Sequence, residues 1–264
     1  MLQFAYTKVV PQPTPEQHVL AMYSTLAQAW GPQHWWPART QFEVIVGAYL
    51  TQNTNWTNVE LALHKLRSAR ILSIAGIRRI PIRRLEALVR SSGYFRQKAR
   101  RLKLFVAFLD RTYSGSLKKM FAQPTAKLRD ELLALEGVGP ETADSILLYA
   151  GQHSIFVVDA YTRRISERHS LLRASANYEE FRTLYEQGLS EGMRIVPATR
   201  SSGAASHFPS PMSLAARATL VQVFNEMHGL LVGAGKKYCL KAKPRCDACP
   251  LKTLLPVVIA GTDL

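Results

Sequence analysis

The chain has 264 residues, which is enough for one large domain or two modest ones around a buried core. Hydrophobic residues make up 47% and charged residues 20%, but 34 Lys and Arg face only 19 Asp and Glu, a net charge of +15. This excess either keeps the protein in solution or serves a polyanionic partner. Nucleic acid is the leading candidate, because bound cations release counterions from phosphates, and an acidic membrane surface is the second.

The N-terminal sequence carries no basic stretch followed by an apolar stretch of signal-peptide length. No run approaches the roughly 18 apolar residues of a membrane span. We therefore expect a cytoplasmic protein of bacterial type, associated with the nucleoid and not with a membrane. The three cysteines all lie within residues 239–249 and do not form a disulfide framework, so their spacing indicates metal ligands instead.

Apolar residues recur at helical spacing along nearly the whole chain. The clearest stripe is Phe42, Ile45, Val46, Tyr49 and Leu50. The same spacing continues at residues 59–66, and further helices are predicted at residues 14–30, 82–91, 96–112, 125–135, 141–150, 160–169, 176–188 and 212–231. The run at 155–158 is too isolated to build a sheet. We expect an all-α fold of about ten helices with short connections.

One segment has a different composition. Residues 190–211 are rich in Ser, Ala, Gly and Pro and show no period. They predict a flexible insertion between two helices.

Residues 135–143 form the most informative short motif. A predicted helix ends, Gly137 and Gly139 bracket Val138, and a new helix starts at Pro140. Glycines leave backbone N–H groups uncovered, and a helix N-terminus favours an anion, so the segment could bind a phosphate. A tight turn between two helices would explain the same glycines.

The pattern L-x-G-V-G-x-x-T-A, which includes Thr142, is followed about twenty residues later by an aspartate, Asp159, after two valines. This combination resembles the helix-hairpin-helix (HhH-GPD) DNA glycosylase superfamily, which is endonuclease III-like. The resemblance implies base excision with Asp159 as the catalytic carboxylate and Gly137, Val138, Gly139 and Thr142 as the DNA-binding hairpin. An N-cap role would also explain Asp159, and one residue can serve both.

The resemblance further implies two helical lobes with the active-site cleft between them. Residues 32–152 would form a six-helix domain that carries the hairpin at 135–143. Residues 1–31 and 153–264 would form the second lobe, which includes the cysteine-containing tail at 239–249.

Bifunctional members of the family carry a Schiff-base lysine two residues after the second hairpin glycine. Glu141 occupies that position here, and a carboxylate cannot form an imine. The resemblance therefore implies a monofunctional enzyme that uses water, although another lysine could still support weak strand cleavage.

The segment Leu50–Trp56 occupies the place where the family inserts a glutamine into the gap left by the extruded base, which makes Gln52 the candidate wedge. Trp35, Trp36 and Trp56 stand close to it in sequence, an aromatic pattern similar to the 3-methyladenine DNA glycosylase III branch. An indole face binds a cationic alkylated base better than a neutral one. Tryptophans that simply fill the core would give the same pattern.

Cys239, Cys246 and Cys249 match three ligands of the endonuclease III iron–sulfur motif, but the fourth position is Leu255. A [4Fe–4S] cluster normally takes four thiolates. A cluster with a foreign ligand, a zinc ion, or no metal at all remain open, and the glycosidic chemistry requires no cofactor.

The sequence thus predicts a monomeric DNA glycosylase of base excision repair. It would extrude a damaged, alkylated base from double-stranded DNA and hydrolyse its N-glycosidic bond. The alternatives are an endonuclease III-like oxidised-pyrimidine glycosylase with AP-lyase action and a non-catalytic hairpin protein that only binds DNA.

Overall fold

The computed structural model describes residues 13–192 and 208–256. This part of the chain contains helices and no strand, so the predicted all-α fold class is confirmed. The α-helices are α1 (Pro15–Trp30), α2 (Gln41–Thr51), α3 (Trp56–Ser68), α4 (Ile74–Arg79), α5 (Ile82–Leu88), α6 (Phe95–Tyr113), α7 (Leu117–Phe121), α8 (Thr125–Leu133), α9 (Pro140–Ser145), α10 (Ala160–Arg168), α11 (Tyr178–Gly192) and α12 (Thr219–Lys237). A π-helical turn (Ile146–Ala150) continues α9, and short 3-10 turns lie at Arg90–Ser92, Cys246–Ala248 and Pro250–Leu254. No helix among the described residues has both the length and the apolar character that a membrane crossing requires.

Side-chain caps explain where several helices begin. Thr14 accepts a hydrogen bond from the amide of Gln17, whose side chain accepts one from the Thr14 amide in return. The side chains of Thr40 and Asn55 each accept a hydrogen bond from the amide of the third residue of α2 and α3, Glu43 and Asn58. The predicted start of the first helix at residue 14 thus coincides with the cap of α1.

Some boundaries differ from the predictions. Helices α4 and α7 were not predicted, because one to two turns are too short to show a period. The helix predicted at 212–231 spans Thr219–Lys237 instead, since the backbone before it is held in a turn where the Met212 amide donates to Ala38 O. The insertion predicted at 190–211 falls mainly on 193–207, outside the described residues, and α11 extends to its edge.

Two groups of helices build the core. Helix α2 is buried on all sides, from Phe42 to Leu50, and contacts α3, α6, α9 and the π-helical turn. In the second group, α1 packs on α11, α12 and the last 3-10 turn, and α10 packs on α12. This grouping supports a two-lobe description, while the lobe boundaries at residues 31/32 and 152/153 stay a prediction.

A buried ion-pair network joins α8, α9 and α11. Arg129 Nε lies 2.7 Å from Oδ1 of the fully buried Asp144, and Arg129 Nη2 lies 2.6 Å from Glu179 Oε1. Removing one member would leave another charge buried without a partner, which is costly. The network therefore holds the hairpin helix α9 in a defined position relative to α11.

Candidate active site

A cleft of about 660 Å³ lies where the end of α2, the hairpin, and the starts of α9 and α10 meet α12. Nearly all the predicted site residues line it together. They are Trp35, Trp36, Gln52, Trp56, Gly137, Gly139, Glu141, Thr142 and Asp159. Val138 does not line it and is buried in the core instead, between the two glycines of the hairpin.

Asp159 caps α10 and also faces the cleft. Its Oδ1 accepts hydrogen bonds from the Thr162 amide at 2.7 Å and from Thr162 Oγ1 at 3.0 Å. The side chain is 13% exposed. The capping interpretation is therefore correct for Oδ1, and it leaves the carboxylate accessible from the cleft.

Behind Asp159 lies a histidine that sequence reasoning missed. Nε2 of His228 lies 3.6 Å from Asp159 Oδ2, and its Nδ1 is hydrogen-bonded to the hydroxyl of Tyr149. His228 sits on the apolar face of α12, where a lone histidine gives no signal that it faces a residue 69 positions earlier. Burial raises the pKa of Asp159, but His228 and the Thr162 hydrogen bonds outweigh it, so this pKa lies below its usual range.

Glu141 stands near the beginning of α9 and lines the same cleft. Among the described residues it has no hydrogen-bond or ion-pair partner. Glu141 is exposed to solvent, although the protein atoms around it still remove part of its hydration. This desolvation, together with the negative charge of Asp159, raises the pKa of Glu141 to about 7.

The three tryptophans form one aromatic wall. Trp36 packs edge-on against Trp35 and Trp56, with ring centroids 5.7 and 5.1 Å apart. Trp35 and Trp36 are buried and Trp56 is half-buried. Core packing and a pocket-facing position are therefore compatible here, because the rings that fill the core also line the cleft.

Gln52 connects the end of α2 to the hairpin. Its Nε2 donates to Gly137 O and to Thr142 Oγ1, both at 2.9 Å, and its Oε1 accepts from Arg101 Nη1 at 2.8 Å. Arg101 was not singled out as a site residue from the sequence, where it is one of several basic residues in α6. To act as a wedge, Gln52 would have to give up these three bonds.

The two hairpin glycines differ in conformation. Gly137 has φ +76°, and a Cβ there would lie 2.0 Å from Arg101 Nε. Gly139 has extended backbone and no heavy atom within 4 Å of a Cβ position. As the N-cap of α9 it supplies no side-chain cap, and Pro140 has no N–H. The N–H groups of Glu141 and Thr142 therefore have no capping side chain among the described residues.

The cysteines lie away from this cleft. Cys239, Cys246 and Cys249 line a separate small cavity that also contains Leu255, and Cys239 Sγ accepts a hydrogen bond from Arg168 Nη1. Among the described residues, no three His, Cys, Asp or Glu side chains are grouped as a metal site. With leucine in the fourth place, the donor set does not fit a cluster held by four thiolates.

Comparisons with known proteins identify the family of this chain. The HhH-GPD superfamily of base excision DNA repair proteins matches residues 46–191. A Methanocaldococcus jannaschii protein named as a DNA repair glycosylase is 37% identical over 236 residues, which cover 89% of this chain and 94% of the relative.

Two solved structures share the fold. The H. pylori 3-methyladenine DNA glycosylase MagIII bound to 1,N6-ethenoadenine has a TM-score of 0.68 and 27% identity, covering 85% of this chain and 98% of that one. A trapped endonuclease III–DNA covalent intermediate has a TM-score of 0.67 and 22% identity, covering 91% and 95%. The resemblance and the DNA glycosylase class predicted from the motifs are thus confirmed. The chain belongs to the HhH-GPD superfamily of base excision DNA repair proteins.

Proposed function

We propose that this chain is a monofunctional DNA glycosylase that removes an alkylated base from double-stranded DNA and leaves an abasic site. One observation carries the proposal: an ionised carboxylate, Asp159, lies in a cleft walled by tryptophans and bordered by the hairpin, with a glutamate in place of the lysine. The protein acts as a monomer and needs no cofactor for this reaction.

The chemistry follows from the charge that develops in the reaction. Breaking the N-glycosidic bond builds positive charge on the deoxyribose, and a nearby carboxylate stabilises it in a site with little water. The lowered pKa of Asp159 keeps the group ionised at neutral pH. The same carboxylate orients the attacking water and takes up its proton.

The hairpin supplies the sequence-independent contact to DNA. The open space beside Gly139 admits a phosphate to the free amides at the start of α9. Arg101 and Lys236 also line the cleft and add positive charge there, in keeping with the net charge of +15. DNA bound across the hairpin would place an extruded nucleotide in the cleft beside Asp159.

The aromatic wall supports an alkylated base as the substrate. Indole faces attract a cation by about 0.5–2 kcal/mol, and alkylation also weakens the glycosidic bond. The H. pylori 3-methyladenine DNA glycosylase MagIII shares this fold at 27% identity. Both features favour a methylated purine over an oxidised pyrimidine.

Lys236 gives the lyase alternative a specific candidate. It stands in the last turn of α12, is exposed, and lines the cleft. Borohydride trapping on duplexes with an excised base tests it: a covalent adduct that disappears in Lys236→Ala would contradict the monofunctional assignment.

The decisive experiment is a single-turnover assay on duplexes that carry 3-methyladenine, hypoxanthine, uracil, an oxidised pyrimidine or a mispaired adenine. We expect excision of at least the first, and its loss in Asp159→Asn. The matched control is Asp130→Asn, an exposed position on α8 outside the cleft. Equal rates for wild type and Asp159→Asn on every substrate would end the catalytic assignment, and tight binding without base release would favour the non-catalytic hairpin protein.

A further inference from the structure

We propose that Glu141 is a second catalytic group, a general acid that protonates the leaving base and thereby extends excision to neutral lesions. This inference rests on the proposed glycosylase function. Position 141 is then more than the site of a missing lysine, because the glutamate there has a chemical role of its own.

The two carboxyl groups in the cleft differ in the partners that the protein gives them. Oδ1 of Asp159 accepts two hydrogen bonds from Thr162, and its Oδ2 lies 3.6 Å from Nε2 of His228. Glu141 enters the same space from the hairpin side and has no partner among the described residues. A carboxyl group without a protein partner in a ligand-sized cleft is free to contact what binds there.

The titratable and charged groups around Glu141 come from several helices. Asp159 and Arg163 belong to α10, His228 and Lys236 to α12, Tyr178 to α11 and Arg101 to α6. Desolvation and Asp159 raise the pKa of Glu141 to about 7, while His228 and Arg163 oppose the rise. The pKa of Asp159 is shifted in the opposite direction, below its usual range. Two carboxyl groups whose pKa values are pushed apart can divide acid and base work between them.

The proposed reaction transfers one proton from Glu141 to the base and one from water to Asp159. The carboxylic acid of Glu141 donates its proton to a ring nitrogen of the extruded base as the bond to C1′ breaks and its electron pair goes to the base. Water then adds to C1′, and its proton passes to Asp159. Asp159 then releases that proton to solvent, and solvent returns one to Glu141 before the next cycle.

The nature of the lesion decides whether this acid matters. A cationic base such as 3-methyladenine leaves as a neutral molecule and needs no proton. A neutral base such as hypoxanthine or ethenoadenine would leave as an anion unless it is protonated. The contribution of Glu141 should therefore appear only on neutral lesions, which a purely structural role would not produce.

The experiment compares single-turnover excision of 3-methyladenine, hypoxanthine and ethenoadenine by wild type and Glu141→Gln from about pH 6 to about pH 9. Because the acid form is required, we expect wild-type rates on the neutral lesions to fall above about pH 7. In Glu141→Gln these rates drop by about a hundredfold at pH 6 and lose that dependence, while 3-methyladenine excision changes by less than about threefold. Glu167→Gln, an exposed position on α10 outside the cleft, is the matched control.

Other outcomes overturn the proposal. It fails if wild type excises no neutral lesion, if Glu141→Gln slows all three substrates equally, or if it slows none of them. A thermal melt of Glu141→Gln matching wild type excludes misfolding as the cause of a loss. Asp159→Asn is measured in parallel, and its failure to abolish 3-methyladenine excision would refute the glycosylase assignment itself.

Discussion

Asp159 and His228 face each other across the boundary between α10 and α12, with Oδ2 and Nε2 3.6 Å apart. Tyr149 holds the other ring nitrogen, and only 5% of the His228 side chain is exposed. The histidine is thus a positioning residue for the carboxylate on which the proposed chemistry depends.

Replacing His228 should weaken catalysis without preventing DNA binding. We expect His228→Asn to lower the single-turnover rate by about tenfold, about 1.4 kcal/mol, with little change in affinity. Because His228 lowers the pKa of Asp159, its removal raises that pKa and moves the acidic limb of the rate profile to higher pH. His64→Asn, an exposed histidine on α3, is the control. A rate loss with no movement of the acidic limb would contradict the electrostatic role.

The two hairpin glycines should respond differently to alanine. Gly137→Ala places a methyl group at φ +76° against Arg101 and should lower the free energy of unfolding by about 1–3 kcal/mol. Gly139→Ala meets no protein atom and should fold normally, yet bind DNA more weakly because the methyl occupies the approach of the phosphate. Thermal melts and fluorescence anisotropy on one duplex check both. Undiminished affinity of Gly139→Ala would argue against a phosphate site at this turn.

Gln52 should stabilise the protein as well as serve in base extrusion. Gln52→Ala removes bonds to Gly137, Thr142 and Arg101, so we expect a loss of about 1–3 kcal/mol in the free energy of unfolding. If Gln52 is the wedge, the variant also slows extrusion, measured by 2-aminopurine fluorescence. Asn53→Ala is the comparison, since Asn53 is exposed, lines the cleft and has φ +52°. Slower extrusion in that variant alone would transfer the wedge role to Asn53.

The buried Lys98 should make the free energy of unfolding increase as the pH rises above about 8. Its Nζ is buried and donates to Leu50 O and Ser92 O, and desolvation followed by the charge of Arg101 lowers the pKa of Lys98 to about 8. Between pH 8 and the usual lysine pKa of about 10.4 the unfolded chain binds the extra proton, so stability rises with pH there. Lys98→Met should lose this rise and leave two carbonyls without donors. Urea titrations of both proteins at about pH 7 and pH 9.5 measure the free energy of unfolding. An equal change in this free energy between the two pH values in wild type and in Lys98→Met would contradict the prediction.

A single substitution in the cavity lined by the three cysteines should allow the protein to bind an iron–sulfur cluster. Leu255 lines the same cavity as the three cysteines, so Leu255→Cys would complete a four-thiolate set. We expect anaerobic reconstitution with iron and sulfide to give visible absorbance in this variant and not in wild type. Equal absorbance in the two proteins would show that three thiolates already hold a cluster.

Local features of the sequence predicted most of the helices, whereas the roles of the hairpin and of Asp159 were inferred from the family resemblance. Caps such as Thr14 and Thr40, the apolar stripe of α2, and the spacing from Gly137 to Asp159 are all short-range signals. The caps and the stripe act within a few turns of one helix, and the spacing is visible because it lies within one continuous segment. The short helices and the start of α12 escaped because neighbouring segments, not local period, decide where they begin.

The amino-acid sequence by itself determined the all-α class, the hairpin, the aspartate and the absence of a lysine at position 141. Only the tertiary structure decided that His228 stands behind Asp159 and that Arg101 contacts Gln52 beside the hairpin. It also decided that Glu141 shares the cleft without a hydrogen-bond or ion-pair partner in the part of the chain that the structure describes. The physical reason is distance along the chain. These contacts join helices separated by tens of residues, and their geometry exists only once apolar burial has packed those helices together.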